Sequence, residues 1–273
     1  MTDHVLPVAA AAVDPSFLPD GDGRGTFEAA GRRITVVLEP DGWLVAAAPV
    51  DASPDSLLAR QALILGPAKV ALAPGPAVLA EMPAMPSLED ALRRVLDAVR
   101  AGVAVLNGVG APGFPAGDPD EAAVALAAYA SSCPWDRDQS GARWSFRIAT
   151  PGGLQRIVAE AIPGFARLTS TLAPLVNASV EARAALGHFL AALNGSLRLA
   201  RGALTDSAAV LEVILPVAGL GPSVIEKAVG ALIVGSAAAR RECMALLDVP
   251  RLAGAYCSFH LERRTAWGRS ILW

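Results

Sequence analysis

Ala77-Val78-Leu79-Ala80-Glu81-Met82-Pro83 and Val210-Leu211-Glu212-Val213-Ile214-Leu215-Pro216 decide the fold of this chain. Each is an apolar run of strand length that carries one glutamate and stops at a proline, which cannot donate to a sheet ladder. A long helical stretch follows each, from Ser87 in one case and from Pro222 in the other. The match continues upstream. Ala68-Lys69-Val70-Ala71-Leu72 and Leu197-Arg198-Leu199-Ala200 are short apolar strands with one basic residue. Each comes after a helical segment, Asp55 to Gln61 in the first half and Leu186-Gly187-His188-Phe189-Leu190-Ala191-Ala192-Leu193 in the second. A shared order of elements over this span predicts duplication of one α+β unit.

Further out, Arg33-Ile34-Thr35-Val36-Val37-Leu38, the turn Pro40-Asp41-Gly42 and Trp43-Leu44-Val45-Ala46 predict a β-hairpin. Trp144 to Ala149, Pro151-Gly152-Gly153 and Leu154 to Ala159 predict a second hairpin, matched to the first, with a third strand through Ala166 to Leu172. Leu88, Ala91, Leu92, Val95, Leu96 and Val99 recur at helical spacing behind a capping Ser87, with Asp90 three residues on. Asp118-Pro119 opens a helix to about 131. The expected fold class is therefore α+β, with two tandem units of antiparallel sheet flanked by helices that form an intramolecular pseudodimer.

The expected boundaries are a flexible leader at 1–30, a first unit at 31–106, a glycine- and proline-rich linker at 107–118, a second unit at 119–249 and an aromatic, basic tail at 250–273. The leader reading rests on Pro7, Pro15, Pro19 and the run Asp20-Gly21-Asp22-Gly23-Arg24-Gly25, a composition that does not by itself fix a regular element. In the tail, Tyr256, Phe259, Trp267, Leu272 and Trp273 are the candidate partner-binding residues, because large apolar groups either pack back on the fold or meet a partner.

The chain has 273 residues and a net charge of −3, so it carries no electrostatic footprint for nucleic acid and no polybasic handle for a membrane surface. Its most apolar windows are broken by Glu212, Pro216 or glycines before reaching bilayer length. Three widely spaced cysteines, Cys133, Cys243 and Cys257, do not make a disulfide framework and suit a reducing cytoplasm. Val5 to Val13 has no preceding Lys or Arg and contains a proline, which makes a poor signal peptide.

Motifs that would carry chemistry fail on mechanism. Gly108-Val109-Gly110-Ala111-Pro112-Gly113 has the letters of a dinucleotide fingerprint, but a helix precedes it and prolines follow, whereas the phosphate needs a strand before and a helix after. Asp20 and Asp22 begin like a calcium loop, yet Arg24 and Gly31 stand where oxygen ligands are required. Cys257 and His260 lack the further ligands a tetrahedral zinc needs. No catalytic, cofactor-binding or metal-binding residues are expected. Glu81, Glu160 and Glu212 are the carboxylates to follow, since each sits in an apolar strand; the simplest expectation is that they face solvent. Lys69 and Arg198 are expected to pair with Glu81 and Glu212 across adjacent strands. Asn177-Ala178-Ser179 and Asn194-Gly195-Ser196 are read as turn and cap residues.

The order in the second half of helix, meander, helix, two strands and helix resembles the type III secretion chaperone-like superfamily, including its YbjN-like branch. Trp144 to Ala149, Leu154 to Ala161, His188 to Asn194, Leu197 to Arg201 and Val210 to Pro216 carry that likeness. Trp43 to Pro49, Leu57 to Gln61, Lys69 to Leu72 and Val78 to Pro83 repeat it, although the first half shows no convincing leading helix. The resemblance implies a non-enzymatic protein, a monomeric pseudodimer or homodimer, that holds a protein or peptide partner against apolar sheet and helix surfaces; from the charge balance, no nucleic-acid or membrane partner is expected. The alternative from another class is an enzyme or small-molecule binder with a site between the units, using Glu160 or Glu212.

Overall fold

The computed structural model describes residues 5–252 except 22, 30–31, 52–57, 59–60, 62–63, 65, 73–75, 85–86, 109–118, 151–152 and 218–219. The first unit runs α1 (Val5–Val13), β1 (Leu18–Pro19), β2 (Arg24–Ala29), β3 (Arg32–Leu38), β4 (Trp43–Pro49), β5 (Lys69–Leu72), β6 (Pro76–Pro83) and α2 (Leu88–Leu106). The second runs α3 (Pro119–Ser132), β7 (Asp136–Ser140), β8 (Arg143–Thr150), β9 (Gly153–Ile162), β10 (Phe165–Pro174), α4 (Val180–Asn194), β11 (Arg201–Leu204), β12 (Ala208–Pro216) and α5 (Pro222–Asp248), closing with a short 3-10 turn at Pro250–Leu252. Each unit has a six-stranded sheet, ordered β1-β2-β3-β4-β6-β5 and β7-β8-β9-β10-β12-β11. The topology is the same: four strands in succession, then the sixth, with the fifth at the edge. All pairings are antiparallel.

This common order corrects the expected correspondence of hairpins. The hairpin β3/β4 matches β9/β10, one strand further on than the sequence match to β8/β9. The displaced strand is β2, which lies within the stretch read as a leader and pairs along its length with β3, from Arg24↔Val37 to Ala29↔Arg32. The leader is likewise ordered by α1, where Leu6 and Ala10 are fully buried. Asp14 ties that helix down by accepting from Ser16 N–H and from Arg100 of α2, both at 2.9 Å. Since α1 precedes the first sheet in the chain as α3 precedes the second, the first unit has a leading helix, which packs on α2. Alanine and glycine give these segments little periodicity of their own, so packing decides their structure.

In the first unit α2 covers β4 and β6, and in the second α5 covers β10 and β12 while α3 covers β9. One apolar core runs through both, from Leu44, Val78 and Leu96 to Phe146, Leu168 and Leu211. The covering helices approach their sheets at equivalent glycines. A Cβ on Gly102 would lie 2.8 Å from Val78 Cγ1 of β6, and one on Gly235 would lie 2.6 Å from Leu211 Cδ2 of β12. Close packing, and not a break in the helix, therefore explains Gly235, and α5 is continuous. By length and composition α5 is also long and apolar enough to cross a bilayer, contrary to the reading of its interrupted windows. Here its Ile225, Val229, Leu232 and Cys243 are buried, with the helix packed against the second sheet.

Candidate functional site

Lys69 opens β5 and Arg201 opens β11, and side chains bridge these two edge strands where the units join, with β5 packed on α4. Lys69 Nζ donates to Glu81 Oε1 at 2.7 Å and to the Leu197 carbonyl of the other unit. Arg201 answers in the opposite direction, donating to Glu212 Oε1 at 2.7 Å and to the carbonyls of Ile64 at 2.8 Å, Gly66 at 3.1 Å and Ala68. Burial lowers the Arg201 pKa against the opposing pull of Glu212.

One residue along each strand, a second reciprocal pair is formed. Gln61 Oε1 accepts Val70 N–H at 2.6 Å while its Nε2 donates to the Gly202 carbonyl at 2.5 Å. Asn194 Oδ1 accepts Gly202 N–H at 2.5 Å while its Nδ2 donates to the Val70 carbonyl at 2.8 Å. Each amide thus takes the N–H of its own edge strand and reaches the carbonyl of the other. Such self-complementary exchange is the signature of a twofold contact, here inside one chain. It also satisfies backbone groups that an open sheet edge would leave for another strand.

Two expectations are corrected at this seam. Glu81 and Glu212 do not face solvent; both are 4% exposed, Glu81 beneath Arg198 and Leu199 of the other unit and Glu212 between Arg201 and Arg167 of its own. The Lys69–Glu81 pair forms, but Arg198 does not take Glu212. Arg198 stands before β11 and crosses to Glu39, Asp41 and Glu81 of the first unit, with its guanidinium 5.0 Å from the centre of the Trp43 ring. Leu199, held at φ 60° with its N–H on Glu81, turns the chain there. Asn194, read as a cap residue, is a bridge between the units, whereas Ser179 does cap α4 by accepting Ala182 N–H at 3.1 Å.

The sheet faces away from the covering helices have diverged. On the first sheet, register lines up Thr35, Ala47, Leu79 and Lys69 in one row and Val37, Val45 and Glu81 in the next. Val37, Val45, Ala47, Ala71 and Leu79 form a small buried apolar cluster there. The equivalent rows of the second sheet are Ser145, Val158, Thr169, Glu212 and Arg201, then Arg143, Glu160, Arg167 and Ile214. This face is an open trough of about 520 Å³. Its lining includes Val158 and Val210 together with Arg143, Arg156, Arg167, Arg240, Glu160 and Glu212. Arg167 lies 3.7 Å from Glu160 and 3.3 Å from Glu212. Arg156 donates to Ser145 Oγ at 2.6 Å, and Arg240 to the Thr171 carbonyl at 2.9 Å.

Of the three carboxylates followed from the sequence, the trough holds Glu160 and Glu212, and both are ion-paired. The arginines beside them were not singled out in the sequence, because β8, β9, β10 and α5 contribute one each. Tyr256, Phe259, Trp267, Leu272 and Trp273 lie outside the described residues, as does 109–118 of the linker. Cys133 and Cys243 are buried free thiols, and burial pushes the Cys243 thiol up to about 12, so it is protonated at neutral pH. Among the described residues no group of three or more His, Cys, Asp or Glu is placed to hold a metal ion. Comparison with known proteins finds no match: no family model, no curated protein and no solved structure corresponds to the chain.

Proposed function

We propose that this chain is a non-catalytic protein-binding module that holds an extended segment of a partner across the open face of its second sheet. One observation carries the reading: in a duplicated architecture, one far face holds a buried apolar cluster while its counterpart is an open trough lined by valines and by charged and polar side chains. A sheet face of this kind accommodates an extended chain by side-chain contacts. Strand addition at β5 and β11 is disfavoured, since Gln61 and Asn194 already occupy Val70 and Gly202. The chain would act as a single copy, because its own two units fill the twofold contact.

The test is photo-crosslinking in native extract from an unnatural residue at position 169 in the trough, with one at the exposed position 8 of α1 as the control. The reading expects protein adducts from 169 that are absent from 8. Adducts from 169 that contain only the protein itself, with residues 253–273 present or deleted, contradict it.

A further inference from the structure

Four arginines and two glutamates line the trough of a chain whose net charge is −3. The two carboxylates are already committed. Glu212 is held between Arg201 and Arg167, and Glu160 lies beside Arg167. Three guanidinium groups are left without a carboxylate among the described residues. Arg143 is exposed on β8; Arg156 has the Ser145 hydroxyl; Arg240 has the Thr171 backbone carbonyl. Arg156 also stands directly opposite Arg147 in the β8/β9 register, a like-charged cross-strand pair that opposes folding. Arg147 is relieved by Asp136 at 2.9 Å and Asp138 at 3.3 Å, so Arg156 is the one whose charge stays unanswered.

We infer that the segment bound in the trough is acidic: its Asp or Glu side chains meet Arg143, Arg156 and Arg240, with an apolar residue between them over Val158. The inference rests on the protein-binding reading and adds the chemistry of the partner. Arginine suits this task because its planar fork takes a carboxylate through two parallel hydrogen bonds. From β8 to β12 the trough crosses four strands, about 14 Å at the usual strand spacing, which an extended segment covers in about four or five residues. The chain's own tail is not the complementary occupant, since residues 253–273 carry Arg263, Arg264 and Arg269 against the single carboxylate side chain of Glu262.

Fluorescence anisotropy with the full-length protein tests this, using three labelled 12-residue peptides with glutamate, glutamine or lysine at alternate positions between identical small apolar residues, and a labelled single-stranded DNA of equal charge. The glutamate peptide is expected to bind, more weakly as salt rises. R143Q, R156Q and R240Q are each expected to weaken it about three- to tenfold, while R94Q on α2 leaves it unchanged. Equal binding of the glutamate and glutamine peptides overturns the acidic assignment and leaves the protein-binding reading standing. Tighter binding of the lysine peptide or of DNA, or no binding of any probe, also overturns it. Crosslinking at position 169 reports on the protein-binding reading independently.

Discussion

Replacing Arg201 by methionine keeps the length of the side chain and removes its charge, and the surroundings fix what this costs. Arg201 is 3% exposed and Glu212 4%, so neither partner can turn to water when the other is lost. Breaking a buried ion pair from one side costs roughly 3–5 kcal/mol, because the remaining charge is stranded. Arg167, 3.3 Å from Glu212, still screens that charge and favours the lower end of the range. The carbonyls of Ile64, Gly66 and Ala68 lose their donor as well, at about 1 kcal/mol each where no other donor replaces it. A total of about 3–6 kcal/mol, depending on how many of the three carbonyls find another donor, is a large part of the roughly 5–15 kcal/mol that holds a folded domain. Urea unfolding followed by circular dichroism at pH 7 reads this directly, and calorimetry should show Tm falling by about 6–24 °C. The double variant R201M/E212L removes both charges and is expected to recover the part of the loss due to the stranded carboxylate, but not the part due to the three carbonyls, since apolar side chains of similar volume replace a buried pair at little cost. If R201M lies within 1 kcal/mol of the parent, or if the double variant is no more stable than the single one, the seam is not held as described.

Two glycines in the covering helices should respond with opposite sign. Gly102→Ala drives a methyl to 2.8 Å from Val78 Cγ1 and 3.2 Å from Ala68 Cβ, and should destabilise by about 1–2 kcal/mol after the helix-propensity gain; Gly230→Ala meets nothing within 4 Å and should stabilise by up to about 1 kcal/mol in the same urea assay. Asp14 should contribute in a defined pH window. The Ser16 N–H first, then its hydroxyl and Arg100, hold the Asp14 carboxyl below its ordinary value of 3.8. Its contribution is therefore complete above that value and fades as pH falls through the lowered one. D14N should lose at most about 1 kcal/mol at pH 7 and match the parent once Asp14 is protonated in both states, as read by unfolding midpoints across pH.

The strand-proline-helix step was legible because β6 and β12 are mostly apolar runs buried along their middle and prolines end them at a fixed place. Ser87 and Ser179 were readable for a similar reason, since a cap is a local hydrogen bond. β2 and β7 were not. β7, Asp-Arg-Asp-Gln-Ser, is exposed along its whole length and has no apolar alternation to detect. Its strand character comes from pairing with β8. The choice of Arg201 over Arg198 was equally hidden, because it depends on where β11 begins, and that is set by Leu199 turning the chain onto Glu81. The trough arginines were visible as charges but not as a group, since the register of β8, β9 and β10 brings Arg143, Arg156 and Arg167 to one face and Arg240 joins them from α5.

The central claim is that one duplicated unit closes on itself along β5 and β11, through amide bridges that leave the second sheet's far face free. Residue-resolved hydrogen exchange tests it most directly. Val70 and Gly202 lie on edge strands, yet their N–H groups are held by Gln61 and Asn194, so they should exchange with the slow core amides. Gln61→Leu should speed Val70 in particular. Exchange of Val70 and Gly202 as fast as the amides of the exposed β7 would contradict the account.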